Sequence, residues 1–148
     1  MVMTRRQLMR VIDTEAIEDA ITRAEEGTSG EIRVSVAPYF WGNVRRTAER
    51  AFERLGMIET RDRNGVLLFI VPSRRKFVVL GDEGIHARVG QAFWDDLSET
   101  LAPAFHDGHY TEGLIAAITQ IGLRLAEYFP PHPDRGDRDE LPNVVDFG

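Results

Sequence analysis

Apolar residues recur at helical spacing at Ile17, Ala20, Ile21 and Ala24, then switch to strict alternation at Ile32, Val34 and Val36. This change of period separates a first helix from a first strand. The helix starts at Asp13–Thr14 with acidic residues early, as the helix dipole favours, and ends near Gly27. Thr28-Ser29-Gly30 turns the chain into a half-buried strand over Glu31–Ala37. Asn43 is placed to cap a helix whose apolar stripe is Val44, Ala48, Ala51, Phe52 and Leu55, with Gly56 as its left-handed terminator. Gly65–Val71 is apolar without alternation, which suits a central strand covered on both faces. Pro72 and Ser73 stop it, and Lys76–Leu80 returns as the next strand. Gly81-Asp82-Glu83-Gly84 opens a helix with Ile85, Val89, Phe93, Leu97 and Leu101 at intervals of four, broken at Pro103. After an Asp107-Gly108-His109 loop, a last helix carries Leu114, Ile118, Ile121, Leu125 and Phe129.

These elements predict an α/β fold. A helical crossover makes the first two strands parallel, and the tight Pro72–Arg75 connection turns the third antiparallel. Strand direction then brings Glu31, Asn64 and Asp82 to one edge of the sheet, and sends Phe40 and Trp41 to the far end. The aromatic pair either covers the core beneath the crossover or forms an exposed contact surface. Phe93 and Trp94 read as core, and Arg74, Arg75 and Lys76 as a basic hairpin tip.

At 148 residues and 43% hydrophobic content, the chain has the size of one core. The domain is read as 13–129, preceded by an extension over 1–12 and followed by a tail over 130–148 too rich in proline and charge to build a core of its own. Having no cysteine, the chain has no disulfide, thiolate metal site or cysteine nucleophile. Met1–Arg10 has no apolar signal-like run, and no stretch approaches a membrane span, so the chain reads as soluble and cytoplasmic. A net charge of −6 argues against nucleic acid as a partner. Half of that charge sits in the tail, where Asp134, Asp137, Asp139, Glu140 and Asp146 oppose Arg135 and Arg138.

Carboxylate and amide oxygens are hard ligands, suited to calcium or magnesium. Asp82 and Glu83 supply adjacent carboxylates, and Glu31, Asn64 and Ser29 are the neighbours that strand direction predicts. The structural alternative gives each a bland role: Asp82 caps the following helix, Asn64 adopts a turn conformation, and Glu31 pairs with Arg63. No His-Glu-x-x-His, Gly-x-Ser-x-Gly, Gly-x-Gly-x-x-Gly or P-loop pattern is present, which leaves zinc hydrolysis, serine catalysis and nucleotide binding without a motif.

Thr28-Ser29-Gly30-Glu31-Ile32-Arg33-Val34, Arg63-Asn64-Gly65-Val66-Leu67-Leu68 and Gly81-Asp82-Glu83-Gly84-Ile85-His86 together resemble the TPM domain, the thylakoid acid phosphatase-like family. The likeness continues through Phe93-Trp94 and Phe-x4-Tyr-x2-Gly at Phe105–Gly113, and Asp139-Glu140-Leu141-Pro142 resembles an ending found in a bacterial subgroup. The resemblance implies a three-layer α/β/α sandwich, in which helices flank a small mixed sheet that includes an antiparallel hairpin. It also implies a divalent-cation site near the loops around that hairpin, and a role as an accessory or protein-interaction module of membrane-linked assemblies. The alternative it carries is a metal-dependent phosphomonoester hydrolase. Many family members read Asp-Asn-Gly where this chain has Arg63-Asn64-Gly65, and Asp62 is one residue displaced from the expected carboxylate. A cation beside Arg63 would meet a unit-charge repulsion of about 1 to 4 kcal/mol at 4 Å, depending on screening.

Overall fold

The computed structural model describes residues 3–132 and 143–148, so the Asp139–Pro142 ending lies outside the described residues. Three strands, β1 (Glu31–Val36), β2 (Gly65–Val71) and β3 (Lys76–Gly81), form one sheet in the order β1-β2-β3. β1 and β2 run parallel with Glu31 opposite Gly65, and β2 and β3 run antiparallel with Val66 opposite Gly81. The register therefore places the starts of β1 and β2 and the end of β3 at one edge.

β2 is apolar at every position because it is covered twice. Val66, Leu68 and Ile70 join a cluster with α1 (Arg5–Val11), α2 (Thr14–Glu25), α4 (Glu83–His106) and α5 (Tyr110–Tyr128). Leu67, Phe69 and Val71 point the other way, into a smaller cluster with Ala48, Ala51 and Phe52 of α3 (Val44–Arg54). Successive strand side chains alternate faces, so one uniform apolar run feeds two cores, and the result is an α/β/α sandwich.

Asp13 and Asn43 cap α2 and α3 through their side chains, and Gly56 adopts φ 72° just past α3. Two helical features differ from the pattern-based reading. α4 is interrupted at Gly90 (φ 76°, ψ 171°) and runs on through Pro103 to His106. The proline lacks a donor, yet Asp107 N–H still reaches Pro103 O at 3.0 Å and extends the helix one turn. Helix α1 lies in the stretch expected as an extension, where Thr4 and Gln7 form a capping box and Leu8 and Ile12 are buried in the main core. Thr4-x-x-Gln7 ahead of Leu8 was the available signal.

Residues 143–148 pack on the outer edge of β1, where Asp146 bridges Ser35 in parallel and Val145 is buried. At the opposite end of the sheet from Asp82, Phe40 packs on the smaller cluster while Trp41 is 80% exposed, so the two aromatics divide between the two roles open to them. Trp94 is buried and donates Nε1–H to His86 Nδ1 at 3.0 Å. No helix of the described residues is long and apolar enough to cross a membrane.

Candidate functional site

Three loops meet at the sheet edge where β1 and β2 begin and β3 ends. The turn ahead of β1 is tied to the end of α5: Thr28 Oγ1 donates to Phe129 O, and Ser29 N–H reaches the same carbonyl at 2.9 Å. The loop ahead of β2 folds on Thr60, whose hydroxyl accepts Asn64 N–H at 3.2 Å and whose carbonyl accepts Arg63 N–H at 3.3 Å. Arg63 takes the left-handed conformation, φ 50°. Its carbonyl thereby accepts Gly84 N–H at 2.8 Å and Ile85 N–H at 3.3 Å, two of the donors that the start of a helix leaves without intrahelical partners.

Asp82 is the N-cap of α4: its Oδ1 accepts Glu83 N–H at 2.8 Å. The same carboxylate is held in two-pronged fashion by Arg63, with Nε to Oδ2 at 2.6 Å and Nη2 to Oδ1 at 2.9 Å. Arg63 Nη1 also stands 3.3 Å from Glu83 Oε1. These bonds, and then the field of Asp82 and Glu83, raise the Arg63 pKa against the cost of partial desolvation. The guanidinium thus lies between the two carboxylates that the sequence pairs as cation ligands. A cleft of about 370 Å³ adjoins Asp82, lined by Phe52, Ile58 and Leu80 with Arg45, Glu49 and Glu53.

Glu31 goes elsewhere. Its backbone N–H lies 3.5 Å from Asn64 O, so the main chain meets the edge as expected. Its side chain accepts from Arg33 Nη2 at 2.9 Å, and Arg33 Nη1 reaches Glu25 Oε2 at the same distance. All three charged side chains are at most 4% exposed. The expected Glu31–Arg63 pair is therefore corrected: residues i and i+2 of a strand share a face, and Glu31 and Arg33 meet there under cover.

Asp62 and Asn64 gather around Ser29. Asn64 Nδ2 donates to Ser29 Oγ at 3.2 Å, and Ser29 Oγ approaches Asp62 Oδ2 at 3.5 Å. His132 Nε2 lies 2.8 Å from that same Asp62 oxygen. Nothing in the pattern of residues points His132 to this place: it follows α5 by four residues and belongs to no motif. Because hydroxyl and imidazole both converge on the carboxylate, Asp62 is the centre of the cluster. A nucleophilic serine would instead need the imidazole beside its own oxygen. Asn64 is buried, and its Oδ1 has no hydrogen-bond partner among the described residues.

The sequence-selected residues therefore form three sets: Asp82 and Glu83 around Arg63, Asp62 and Asn64 around Ser29, and Glu31 with Arg33. Hard-cation binding requires several oxygens with unshared charge on one point. Asp82 has both oxygens engaged by a resident cation, so the Asp82–Glu83 pair does not fit a second one while Arg63 stays in place. Asp62, Asn64 and Ser29 offer one carboxylate with two neutral groups. Among the described residues, no group of three or more histidine, aspartate or glutamate side chains is arranged to hold a metal ion.

Comparison with known proteins bears on this edge. The TPM domain family model matches residues 2–124. The BA42 protein from the psychrophilic bacterium Bizionia argentinensis superposes with a TM-score of 0.83 at 39% identity, covering 92% of each chain. The N-terminal domain of a P. gingivalis protein shares the fold alone, at a TM-score of 0.65 and 19% identity over 80% of this chain and 78% of that one. An uncharacterised protein of Mycobacterium tuberculosis is 30% identical over 116 residues, which are 78% of this chain and 66% of that protein's length.

Proposed function

The chain belongs to the TPM domain family, and we propose that it serves as an accessory binding module in which Arg63 stands in for the divalent cation that the family resemblance implies. The observation that carries this reading is the two-pronged Arg63–Asp82 pair. A guanidinium held by two parallel bonds neutralises the acidic loop, joins it to the start of α4 and requires no ion from solution. Phosphoester hydrolysis by a metal mechanism needs an open coordination position and an activated water. Here the carboxylates that would supply the first are engaged, and the Ser29 hydroxyl and His132 imidazole converge on Asp62 instead of on each other.

Exposed aromatics at the other end of the sheet support a binding role. Tyr39 and Trp41 pack edge to face, with centroids 5.7 Å apart, on a loop bordered by Arg74, whose guanidinium lies 5.8 Å from the Phe40 ring. Tryptophan, tyrosine and arginine are the side chains that anchor protein interfaces most often. The partner we propose is therefore a protein, engaged away from the Arg63 loop.

Melting curves recorded against calcium and magnesium test the reading on three proteins: the parent, Arg63→Asp and Asp82→Ala. An ion that binds only the folded state raises Tm with its concentration. The expected result is a parent indifferent to millimolar cation and an Arg63→Asp variant that gains several degrees. A parent that shifts as much as Arg63→Asp, and loses the shift in Asp82→Ala, overturns the reading. So does phosphomonoester turnover by the parent at roughly 1 per second or faster that Asp82→Ala abolishes.

A further inference from the structure

The outer edge of β1 is filled by the chain's own residues 143–148. Val36 N–H donates to Asp146 O at 2.7 Å, and Asp146 N–H returns to Val34 O at 2.9 Å. Side chains on both faces of this short parallel addition are read in turn. Val145 is buried in the main core, and its N–H donates to Glu18 Oε2 at 2.9 Å. Asp146 points to the α3 side, where Arg54 grips it through Nη1 at 3.1 Å and Nη2 at 2.7 Å, and Ser35 Oγ donates to it at 2.7 Å. Phe147 turns back towards α1, with the Arg5 guanidinium 5.5 Å from its ring.

Every group that receives this segment belongs to the body of the fold. The edge N–H and C=O come from β1, Glu18 from α2, Arg54 from α3 and Arg5 from α1. The groove also has room beyond the segment. A cleft of about 420 Å³, lined by Val36, Ala37, Pro38, Thr47, Arg50 and Phe69, continues from Gly148 along β1 and α3. Strand addition to a sheet edge takes its affinity from main-chain bonds and its specificity from pockets for alternate side chains, and this edge has both.

We propose that the outer edge of β1 is an acceptor site for an extended peptide of apolar–aspartate–aromatic sequence, that residues 143–148 are its resident occupant, and that a segment of another polypeptide with the same chemistry displaces them. This site lies at a different edge from the Arg63 loop and does not rest on the reading given for that loop. The specificity is set at Asp146. Its burial works against ionisation, but the bonds from Arg54 and Ser35 outweigh that cost and hold the carboxyl below the usual carboxylate range. An uncharged side chain at that position would leave Arg54 without its partner. Because the resident segment belongs to the same chain, its competition with a free peptide is intramolecular and does not weaken on dilution. A weaker ligand in solution therefore binds only when the resident is dislodged.

The test uses the full chain and a fluorescent peptide of sequence Asn-Val-Val-Asp-Phe-Gly, followed by anisotropy. Asp146→Ala removes the resident's anchor and leaves the acceptor intact. The peptide should bind this variant at least tenfold more tightly than it binds the parent. Binding should be lost when the peptide's own aspartate is replaced by alanine, and lost again in the Arg54→Ala/Asp146→Ala chain. Amide exchange at Val36 reports the resident directly: its protection should fall in Asp146→Ala and return on adding peptide. If Asp146→Ala does not fold, Asp146→Asn is read in the same way. Equal binding of the two peptides overturns the proposal. So does a folded variant whose Val36 is unprotected yet takes no peptide, or one whose Val36 remains protected without the anchor. A parent dimer that forms by tail exchange and disappears in Asp146→Ala would show a second copy's segment using the same acceptor.

Discussion

A Cβ atom added to Gly84 would stand 2.1 Å from the carbonyl oxygen of Asp62 and 2.6 Å from that of Arg63. The first turn of α4 therefore packs directly on the backbone of the loop before β2. This close approach is what lets the Arg63 carbonyl accept from Gly84 and Ile85, and it sets Arg63 opposite Asp82. We expect Gly84→Ala to cost about 1–3 kcal/mol in urea unfolding, because backbone must move to make room. Gly27→Ala is the control: the nearest atom to its added Cβ is 3.7 Å away, and its effect should stay within about 0.5 kcal/mol.

Arg33 and Arg63 both pair with carboxylates, yet their removal should differ several-fold in effect. Arg33→Leu leaves Glu25 and Glu31 buried without their shared counter-ion and should cost about 3–5 kcal/mol. The Arg63 side chain is 40% exposed, so water can take its place beside Asp82 and Glu83, and Arg63→Ala should cost clearly less than Arg33→Leu. Denaturant midpoints of the two variants, measured side by side, check the ordering.

Docking of residues 143–148 should depend on acid. The Asp146 carboxyl titrates below its unfolded value, so its contribution is present above the ordinary aspartate pKa of about 3.9 and is lost as pH falls through the lower, folded value. Protection of the Val36 amide and the ring shifts of Phe147 should hold from neutrality to about pH 4 and decline below it. Asp146→Asn should show weaker protection at neutral pH and no such acid step of its own.

The two tryptophans should report opposite environments. Trp41 is 80% exposed, whereas Trp94 is buried against His86. Acrylamide should quench the parent in two components, and Trp41→Ser should remove the accessible one. Stability should change by no more than about 0.5 kcal/mol, since the side chain buries little.

Much of the framework was legible because it depends on local periodicity. The alternation at Ile32, Val34 and Val36, the unbroken apolar run of β2 and the caps at Asp13 and Asn43 each reflect short-range physics that a few neighbouring residues determine. Strand direction also placed Glu31, Asn64 and Asp82 at one edge correctly, since a crossover and a tight turn leave few ways to connect three strands. Helix α1 has a local signal in Thr4 and Gln7, but its seven residues show too little periodicity to stand out.

Where each side chain turned at that edge was decided by tertiary structure alone. The sequence supplies Arg33 and Arg63 as two arginines near several acids. Strand parity directs the first to Glu31, and the left-handed backbone at Arg63, seated on α4, directs the second to Asp82. His132 reaches Asp62, and Asp146 reaches Arg54, across separations of 70 and 92 residues. Periodicity reports which face of an element is buried, and composition reports how much charge a tail carries. Neither fixes which distant partner a charged side chain meets, because that choice depends on the relative placement of whole elements, which the packing of both cores sets together.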